Sequence, residues 1–217
     1  RDVERSRGLG DVYKRQQPVW LAGHSVGATV SAMVASRHPE RVAGLILIEP
    51  VLMSRKQGLM IRAGRLTRRL SLNPLAAGAL RRRNGFPSIE KVRRAYSGRG
   101  AFRTWPQEWL DSYIENAFLE GDDGLLHLRC DPRWESRSFM LTLSNPWDVV
   151  GKLKVPTTVL LGDPALSTTN ADARHTLEAL CPQLDRRDWP EATHFLPMEQ
   201  TDAVADVLRS LVTPAAS

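Results

Sequence analysis

The sequence predicts an α/β protein in which a parallel β-sheet is flanked by helices and interrupted by a long helical insertion. Two continuous apolar runs, at residues 19–22 and 42–48, and a further strand signal over 157–161 predict the sheet. Continuous rather than alternating apolarity is typical of parallel strands that are covered on both faces. Helical segments lie between these runs, as in a βαβ series with right-handed crossovers. Over residues 54–146 helical periodicity continues without a strand, and this break marks the insertion.

The elements of the sheet region follow one another in a regular order. The strand over 19–22 leads into a helix, and the run over 42–48 ends at Glu49. The remaining predicted elements are helices over 26–37, 171–180 and 202–211 and a strand over 184–189. The last helix carries an apolar stripe of helical period, formed by Val204, Val207, Leu208 and Leu211.

The insertion, residues 54–146, is expected to be a helical cap between two strands of the sheet. Its first helix has an apolar face and a basic face: Leu59, Ala63, Leu66 and Leu70 against Arg62, Arg65 and Arg69. Such a helix is predicted to lie with its apolar face over an apolar surface. A second helix is predicted over 108–118. The alternative is a second small helical domain with a surface of its own.

Residues 1–16 are polar and aperiodic, and they change abruptly into the first strand signal at Pro18. We expect this segment to be a non-native or disordered tail outside the fold. The sheet region then comprises residues 17–53 and 147–217, with the insertion between them.

Composition narrows the class of protein. With 217 residues, of which 42% are apolar, the chain can form one core with an insertion and needs no cross-links. Cys130 and Cys181 match neither a metal-ligand nor a disulfide spacing, so both are expected to be buried thiols in a reducing compartment. No apolar run approaches the roughly 20 residues of a membrane helix, so we expect a cytoplasmic protein without a membrane span.

The positive charge of the chain is concentrated in one region. Residues 55–103 hold fourteen Lys or Arg and one acid, Glu90, whereas the whole chain has a net charge of only +6. The segment lacks the interleaved aromatic residues of a nucleic-acid stacking surface and matches no nucleic-acid-binding motif, so no nucleic-acid partner is expected. Solvated helix faces, or a surface that attracts anionic ligands, are the favoured interpretations.

A strand-to-helix turn at residues 23–27, Gly-His-Ser-Val-Gly, is the most informative motif. An apolar strand precedes it and a helix of small residues follows, which is the context of a nucleophile elbow. The sharp bend exposes the Ser25 side chain, and the flanking glycines are expected because a β-carbon would not fit there. The N-terminus of the following helix directs its unpaired N–H groups at the same place, so the N–H of Val26 is a candidate oxyanion donor.

A serine nucleophile needs a base within hydrogen-bond reach, and the chain has five histidines. His194 lies in the loop between the last predicted strand and the last helix, where it can reach the elbow because the carboxyl ends of parallel strands share one edge. We predict His194 as the general base and acid. The other four histidines are His24, His38, His127 and His175. His24 and His38 are expected to be badly placed for the base, with the His24 side chain directed away from that of Ser25. His127 and His175 are expected to be solvated or to have other hydrogen-bond partners.

These residues resemble the α/β-hydrolase family. The resemblance rests on the elbow at 23–27, the strand over 44–49, the run over 155–162 and the segment 193–199, Thr-His-Phe-Leu-Pro-Met-Glu. It covers the chain from Pro18 onward, and the order of nucleophile, acid and histidine agrees with the family, as does a helical cap in the middle. A serine at the elbow implies hydrolysis through an acyl-enzyme, without a metal or an organic cofactor.

The acid of the triad is open to two assignments. Members of the family usually carry an aspartate a few residues after the glycine that here is Gly162, but in this chain Asp163 follows at once. Some members carry the acid at the end of the strand after the elbow helix, where Glu49 stands. A carboxylate that ends a long apolar run is costly to bury without a partner, and a histidine would provide one. We therefore prefer Glu49 and keep Asp163 as the alternative.

The resemblance also implies missing parts. Complete members have further strands before the elbow strand, and a loop after one of them supplies a second oxyanion N–H. The chain has no room for these strands, so we expect a truncated hydrolase fragment with an exposed apolar edge and impaired activity.

The predicted function is cleavage of an ester or related acyl bond in a small-molecule substrate with a hydrophobic acyl part. Two other functions stay open: a non-catalytic protein of the same fold that binds a small molecule or a protein, and an anion-binding module built on the basic insertion.

Overall fold

A computed structural model describes residues 17–67, 73–141 and 145–213. In chain order, the first part of the sheet region and the insertion contain β1 (Val19–His24), α1 (Val26–Arg37), β2 (Val42–Ile48), α2 (Arg55–Thr67), α3 (Pro74–Leu80), α4 (Ile89–Tyr96), α5 (Gln107–Ala117), β3 (Phe118–Glu120), β4 (Leu126–Leu128) and α6 (Pro132–Leu141). The second part of the sheet region contains α7 (Trp147–Val150), β5 (Thr157–Leu161), α8 (Ala171–Leu180), β6 (Asp185–Asp188), α9 (Leu196–Glu199) and α10 (Thr201–Val212).

The predicted α/β fold is confirmed. Four strands form one sheet in the order β1-β2-β5-β6, and all three pairings are parallel. β2 and β5 occupy the central positions, and almost every residue in them is buried. The register sets His24 opposite Ile48 and Ile48 opposite Leu160, so β1, β2 and β5 end side by side at one edge.

Helices cover both faces of the sheet. On one face, α1 packs through Ala28, Ala32 and Ala35, and small side chains at these positions let the helix lie close to β2. On the other face, α10 packs Val204 and Val207 against Ile46 and Leu160, as its apolar stripe predicts. Alternate residues of β2 therefore enter opposite halves of the core, which explains why its apolar run is continuous.

β1 has a strand neighbour on one side only within the described residues, namely β2. Apolar side chains lie exposed beside it on α1, where Val26, Val30 and Val34 are each more than 40% exposed. The expected open edge of the sheet is therefore present in this structure.

The insertion contains a small aromatic core of its own, built from Phe86, Val92, Leu110, Ile114, Phe118 and Leu128. The expectation that it has no strands was wrong, because β3 and β4 form a two-stranded antiparallel hairpin. Each strand has only three residues, too few for a recognisable alternation of apolar and polar positions. The turn signal was present in the sequence: Gly124, at the end of the Gly-Asp-Asp-Gly stretch over 121–124, has φ 71°.

The prediction that the leucines of α2 form its buried face was also wrong. Leu59 and Leu66 are 68% and 79% exposed, and the buried apolar side chain is Ile61, which packs with Val51 and Met53. Gly58 and Gly64 of the same helix are buried as well. A periodicity based on leucine and alanine positions does not detect a buried side that contains glycines. Arg62 is exposed, and Arg69 and Leu70 lie outside the described residues.

The two cysteines differ in their surroundings. Cys181 is buried and its thiol donates a hydrogen bond to the carbonyl of Val150 at 3.2 Å, and burial raises the pKa of this thiol. Cys130 is exposed, so the expectation that both thiols are buried was wrong for this residue. The sequence carries no signal for the difference, because Cys130 lies just before α6 in a segment without periodicity.

Among the helices in the described ranges, none combines the length and the apolar character that crossing a membrane requires.

The turn between β1 and α1 closes tightly on Gly23. A β-carbon at this position would lie 2.5 Å from the carbonyl carbon and oxygen of Gly27, which are backbone atoms that no side-chain rotation can move away. At Gly27 itself a β-carbon would meet nothing within 4 Å in the described structure. The steric need for glycine, which the motif suggested for both positions, therefore applies to Gly23.

We predict that Gly23→Ala lowers the free energy of unfolding by about 1–3 kcal/mol or more, since β1 and α1 must move apart. Gly27→Ala is the matched control. It is expected to unfold at or above the wild-type midpoint, because alanine is favoured over glycine in a helix by up to about 1 kcal/mol. Urea unfolding of the three proteins checks both expectations. Equal destabilisation by the two substitutions would contradict the tight turn.

Candidate functional site

Ser25 stands at the bend between β1 and α1 in a backbone conformation that side chains rarely adopt. Its φ is 56° and its ψ −123°, which costs on the order of 1–3 kcal/mol for a residue other than glycine. The sheet holds this conformation, because the Ser25 N–H donates to the carbonyl of Ile48 at 3.0 Å. The Ser25 carbonyl accepts from Ala28 and Thr29 in the first turn of α1. The hydroxyl is therefore fixed above the carboxyl edge of the sheet.

The His194 ring lies beside that hydroxyl. Its Nε2 is 2.9 Å from Ser25 Oγ, although the two residues are 169 positions apart in the sequence. The loop that carries His194 follows β6, and its backbone is anchored by a hydrogen bond from the His194 N–H to the carbonyl of Leu166 at 3.2 Å. The structure thus brings together the serine and the histidine that the sequence selected.

Glu49 lies behind the histidine, fully buried, with its Oε2 at 3.1 Å from His194 Nδ1. Two further groups donate to this carboxylate: the N–H of Gly162 to Oε1 at 2.6 Å and the hydroxyl of Ser167 to Oε2 at 2.5 Å. Hydrogen bonds of this kind compensate for the cost of burying a charge. Glu49 also has a positive φ, 46°, so the two non-glycine residues of positive φ in the described structure are both in this site.

Asp163, the alternative acid, makes its side-chain hydrogen bond within the turn that follows β5. Its Oδ1 accepts a hydrogen bond from the N–H of Ala165 at 2.8 Å, and its own N–H donates to the carbonyl of Ala192 at 2.7 Å. Within the described residues no hydrogen bond or ion pair joins Asp163 to His194. Asp163 therefore shapes the turn after β5, and Glu49 is the carboxylate that contacts the imidazole.

His24 belongs to the site, although the sequence analysis expected its side chain to point away. Its Nε2 lies 2.8 Å from the carbonyl oxygen of His194, and the two imidazole rings are 5.1 Å apart between centroids. Burial lowers the pKa of His24, and the hydrogen bond to the His194 carbonyl offsets only part of this effect. The sequence signal for this contact was the position of His24 next to the nucleophile, which does not define the direction of the ring.

Glu199 fixes the loop that carries the histidine. Its Oε2 accepts from the Thr193 N–H at 2.6 Å, and its Oε1 accepts from the Thr193 hydroxyl at 2.6 Å. The hydroxyl of Thr104, in the insertion, donates to the same carboxylate. A second link joins Trp109 Nε1 to the hydroxyl of Thr201 at 2.9 Å. The insertion is therefore tied by hydrogen bonds to the segment around His194.

A cavity of about 780 Å³ opens between the insertion and the sheet region, and Ser25, Val26 and His194 line its inner side. The walls from the insertion are largely apolar and aromatic: Leu75, Ala79, Tyr96, Phe102, Trp105, Tyr113 and Phe139. This volume is in the range of pockets that bind small molecules.

The remaining candidates lie away from this cavity. His127 contacts Asp123 in the β3–β4 hairpin, and His175 and His38 have mostly exposed side chains. In residues 17–67, 73–141 and 145–213, no three His, Cys, Asp or Glu side chains converge in a way that could hold a metal ion.

The model of the alpha/beta hydrolase family matches residues 1–207 of the chain. The chain belongs to the alpha/beta hydrolase family. No curated protein sequence matches it. As an alpha/beta hydrolase it shares its fold with many solved structures.

The structure of an E-2-(acetamidomethylene)succinate hydrolase is similar with a TM-score of 0.66 at 19% identity, over 95% of this chain and 70% of that chain. The thioesterase domain from the curacin biosynthetic pathway is similar with a TM-score of 0.62 at 19% identity, over 88% of this chain and 66% of that chain. The peroxisomal alpha-beta-hydrolase Lpx1 from Saccharomyces cerevisiae is similar with a TM-score of 0.66 at 14% identity, over 98% of this chain and 58% of that chain. The chain thus spans between 58% and 70% of the length of these hydrolase-fold proteins.

We predict that His24 makes the stability of this hydrolase fall in acid. Since the folded state lowers the pKa of His24, the unfolded chain takes up a proton first as the pH falls below about 6.5, which is the ordinary histidine value. The free energy of unfolding should therefore decrease from that pH downward, with a slope from this group of at most about 1.4 kcal/mol per pH unit. Above that pH His24 is neutral in both states and contributes no slope.

Urea unfolding between pH 5 and 8 measures this dependence, and His24→Gln is the variant that removes the titrating group. The difference in unfolding free energy between wild type and variant should shrink as the pH falls. A difference that is constant across the range would contradict the lowered pKa.

Proposed function

We propose that this alpha/beta hydrolase cleaves an ester or a related acyl bond through an acyl-enzyme formed on Ser25. The observation that carries the proposal is the continuous chain of contacts from Ser25 Oγ to His194 Nε2, at 2.9 Å, and from His194 Nδ1 to Glu49 Oε2, at 3.1 Å. A hydroxyl, an imidazole and a carboxylate in this order form the arrangement that activates a serine.

Each group has one role in the proposed reaction. Ser25 Oγ attacks the carbonyl carbon while His194 Nε2 takes the hydroxyl proton. Glu49 accepts the Nδ1–H, which fixes the tautomer and stabilises the imidazolium as it forms. His194 then returns the proton to the leaving group, and a water molecule, deprotonated in the same way, releases the acid from Ser25.

The oxyanion would bind at the N-terminus of α1. Among the described residues the Val26 N–H has no acceptor within the protein, and it lines the cavity next to Ser25. Loss of one oxyanion donor typically costs about 3 kcal/mol in transition-state stabilisation. With this one donor beside Ser25 among the described residues, turnover is expected to be slow even when Ser25 is activated.

The walls of the cavity favour a small-molecule substrate with a hydrophobic part. The insertion covers Ser25 with aromatic and aliphatic side chains, so we assign it the role of a cap over the acyl pocket. Solved structures with this fold are named as an E-2-(acetamidomethylene)succinate hydrolase and as a thioesterase domain. The fold alone therefore does not select the type of acyl bond.

One observation favours a second candidate function, a non-catalytic binding protein. Among the described residues, the N–H next to Ser25 that lines the cavity without an acceptor is that of Val26, whereas acyl transfer on this fold uses a second donor from another loop. In that case the cavity would bind a ligand without turning it over.

We predict that a fluorophosphonate probe labels Ser25, because the reaction with phosphorus requires an activated hydroxyl. Ser25→Ala should remove all labelling. Ser31→Ala, six residues further along on the same helix, is the matched control and should keep it. Mass spectrometry of the labelled peptide identifies the site. Labelling that persists in Ser25→Ala would overturn Ser25 as the nucleophile, and no labelling of the folded wild type would overturn the enzyme proposal in favour of the binding protein.

We also predict different effects for the two candidate acids. Glu49→Gln replaces the acceptor of the His194 proton with an amide and should lower kcat for a p-nitrophenyl ester by a factor of about 10³–10⁴, as for the acid of other triads. Asp163→Asn should retain activity within a fewfold, since this side chain supports a turn. The reverse order of effects would assign the acid to Asp163.

A further inference from the structure

Charged groups lie in one part of the cavity wall, on the side formed by the insertion. Apart from the two histidines of the site, the ionisable acids and bases that line the cavity are Arg82, Arg99 and Glu135, together with the phenols Tyr96 and Tyr113. The rest of the lining is almost entirely apolar. A ligand that fills this space therefore meets its polar contacts at the Ser25 end and at this second group.

Arg82 is already satisfied by its neighbours. One guanidinium nitrogen contacts both carboxylate oxygens of Glu135 at 2.8 Å, and another donates to the Tyr113 hydroxyl at 3.0 Å. Burial alone would lower the pKa of Arg82, but the hydrogen bonds with Tyr113 and Glu135 raise it. Arg82 thus stays charged, and Glu135 compensates its charge.

Arg99 is different, because no carboxylate of the described residues lies within ion-pair distance of its side chain. Its backbone is held by a hydrogen bond from the Arg99 N–H to the carbonyl of Tyr96 at 3.1 Å. Gly98 and Gly100, on either side, have φ values of 64° and 54°, which form the turn that brings the residue to the cavity. Because the charges of Arg82 and Glu135 cancel, the part of the cavity wall that the insertion forms has a net charge of +1, which comes from Arg99.

We propose that the cavity selects acyl groups that end in a carboxylate, with the reacting carbonyl at Ser25 and the far carboxylate at Arg99. The lining of the cavity is otherwise largely apolar, which suits a hydrocarbon chain. A guanidinium without a carboxylate partner is suited to a ligand carboxylate, which it can bind through two parallel hydrogen bonds. This inference rests on the proposed function, because it takes Ser25 to be the nucleophile.

Two esters with the same six-carbon acyl chain test the selection: p-nitrophenyl hexanoate and the mono-p-nitrophenyl ester of adipic acid, which differ in a terminal carboxylate. We expect kcat/KM to favour the adipate ester by up to about tenfold, because Arg99 is exposed and solvent weakens an ion pair there. Arg99→Gln should reduce this ratio to about one. Arg94→Gln is the matched control, an exposed arginine of α4 that does not line the cavity, and it should keep the wild-type ratio.

A binding measurement separates this inference from the proposed function. In the Ser25→Ala protein, calorimetry with monomethyl adipate and with methyl hexanoate requires no turnover, and these two ligands differ in the terminal carboxylate. Monomethyl adipate should bind up to about tenfold more tightly, a preference that Arg99→Gln removes. If neither p-nitrophenyl ester is hydrolysed, the proposed function fails while the binding result still decides the carboxylate site. Equal binding of the two methyl esters, or a monomethyl adipate preference that survives Arg99→Gln, would overturn the assignment of Arg99.

Discussion

The structure depends on the buried carboxylate of Glu49. Glu49 follows directly after β2, and its side chain is fully buried. A buried charge is strongly destabilising unless polar groups surround it. Its partners come from separate segments of the chain: the backbone of Gly162 after β5, the hydroxyl of Ser167 and the ring of His194. One of these partners, the His194 ring, also contacts Ser25, so a change at Glu49 would affect the stability of the fold and the geometry of the site together.

Backbone strain is concentrated at the same place. Ser25 and Glu49 follow directly after β1 and β2, which are hydrogen-bonded neighbours, and both have a positive φ. The hydrogen bonds from the Ser25 N–H to Ile48 and from the Glu49 N–H to Leu160 extend the sheet through the two strained residues. A rigid parallel sheet can maintain these conformations, which a loop would relax. The sheet thereby fixes the Ser25 hydroxyl and the Glu49 carboxylate on opposite sides of the His194 ring.

Much of this arrangement could be predicted from the sequence, because parallel topology has strong local signals. The apolar run over 42–48 and the strand signal over 157–161 gave the bounds of β2 and β5, and the carboxyl ends of parallel strands placed the loop of His194 near Ser25. The insertion was predicted less well. The buried apolar side chain of α2 is Ile61 and not the leucines, and the β3–β4 hairpin is too short for periodicity. Contacts such as those of His24 and Glu199 depend on side-chain directions between distant segments, which no local pattern encodes.

Glu49 is expected to hold His194 as the tautomer whose unprotonated Nε2 faces Ser25. Nitrogen-15 NMR of histidine-labelled protein above neutral pH tests this, since the chemical shifts of the two ring nitrogens distinguish a protonated from an unprotonated nitrogen. We predict a His194 ring protonated at Nδ1 and unprotonated at Nε2, and a loss of this preference in Glu49→Gln. A ring protonated at Nε2, or the same shifts with and without the Glu49 carboxylate, would contradict it.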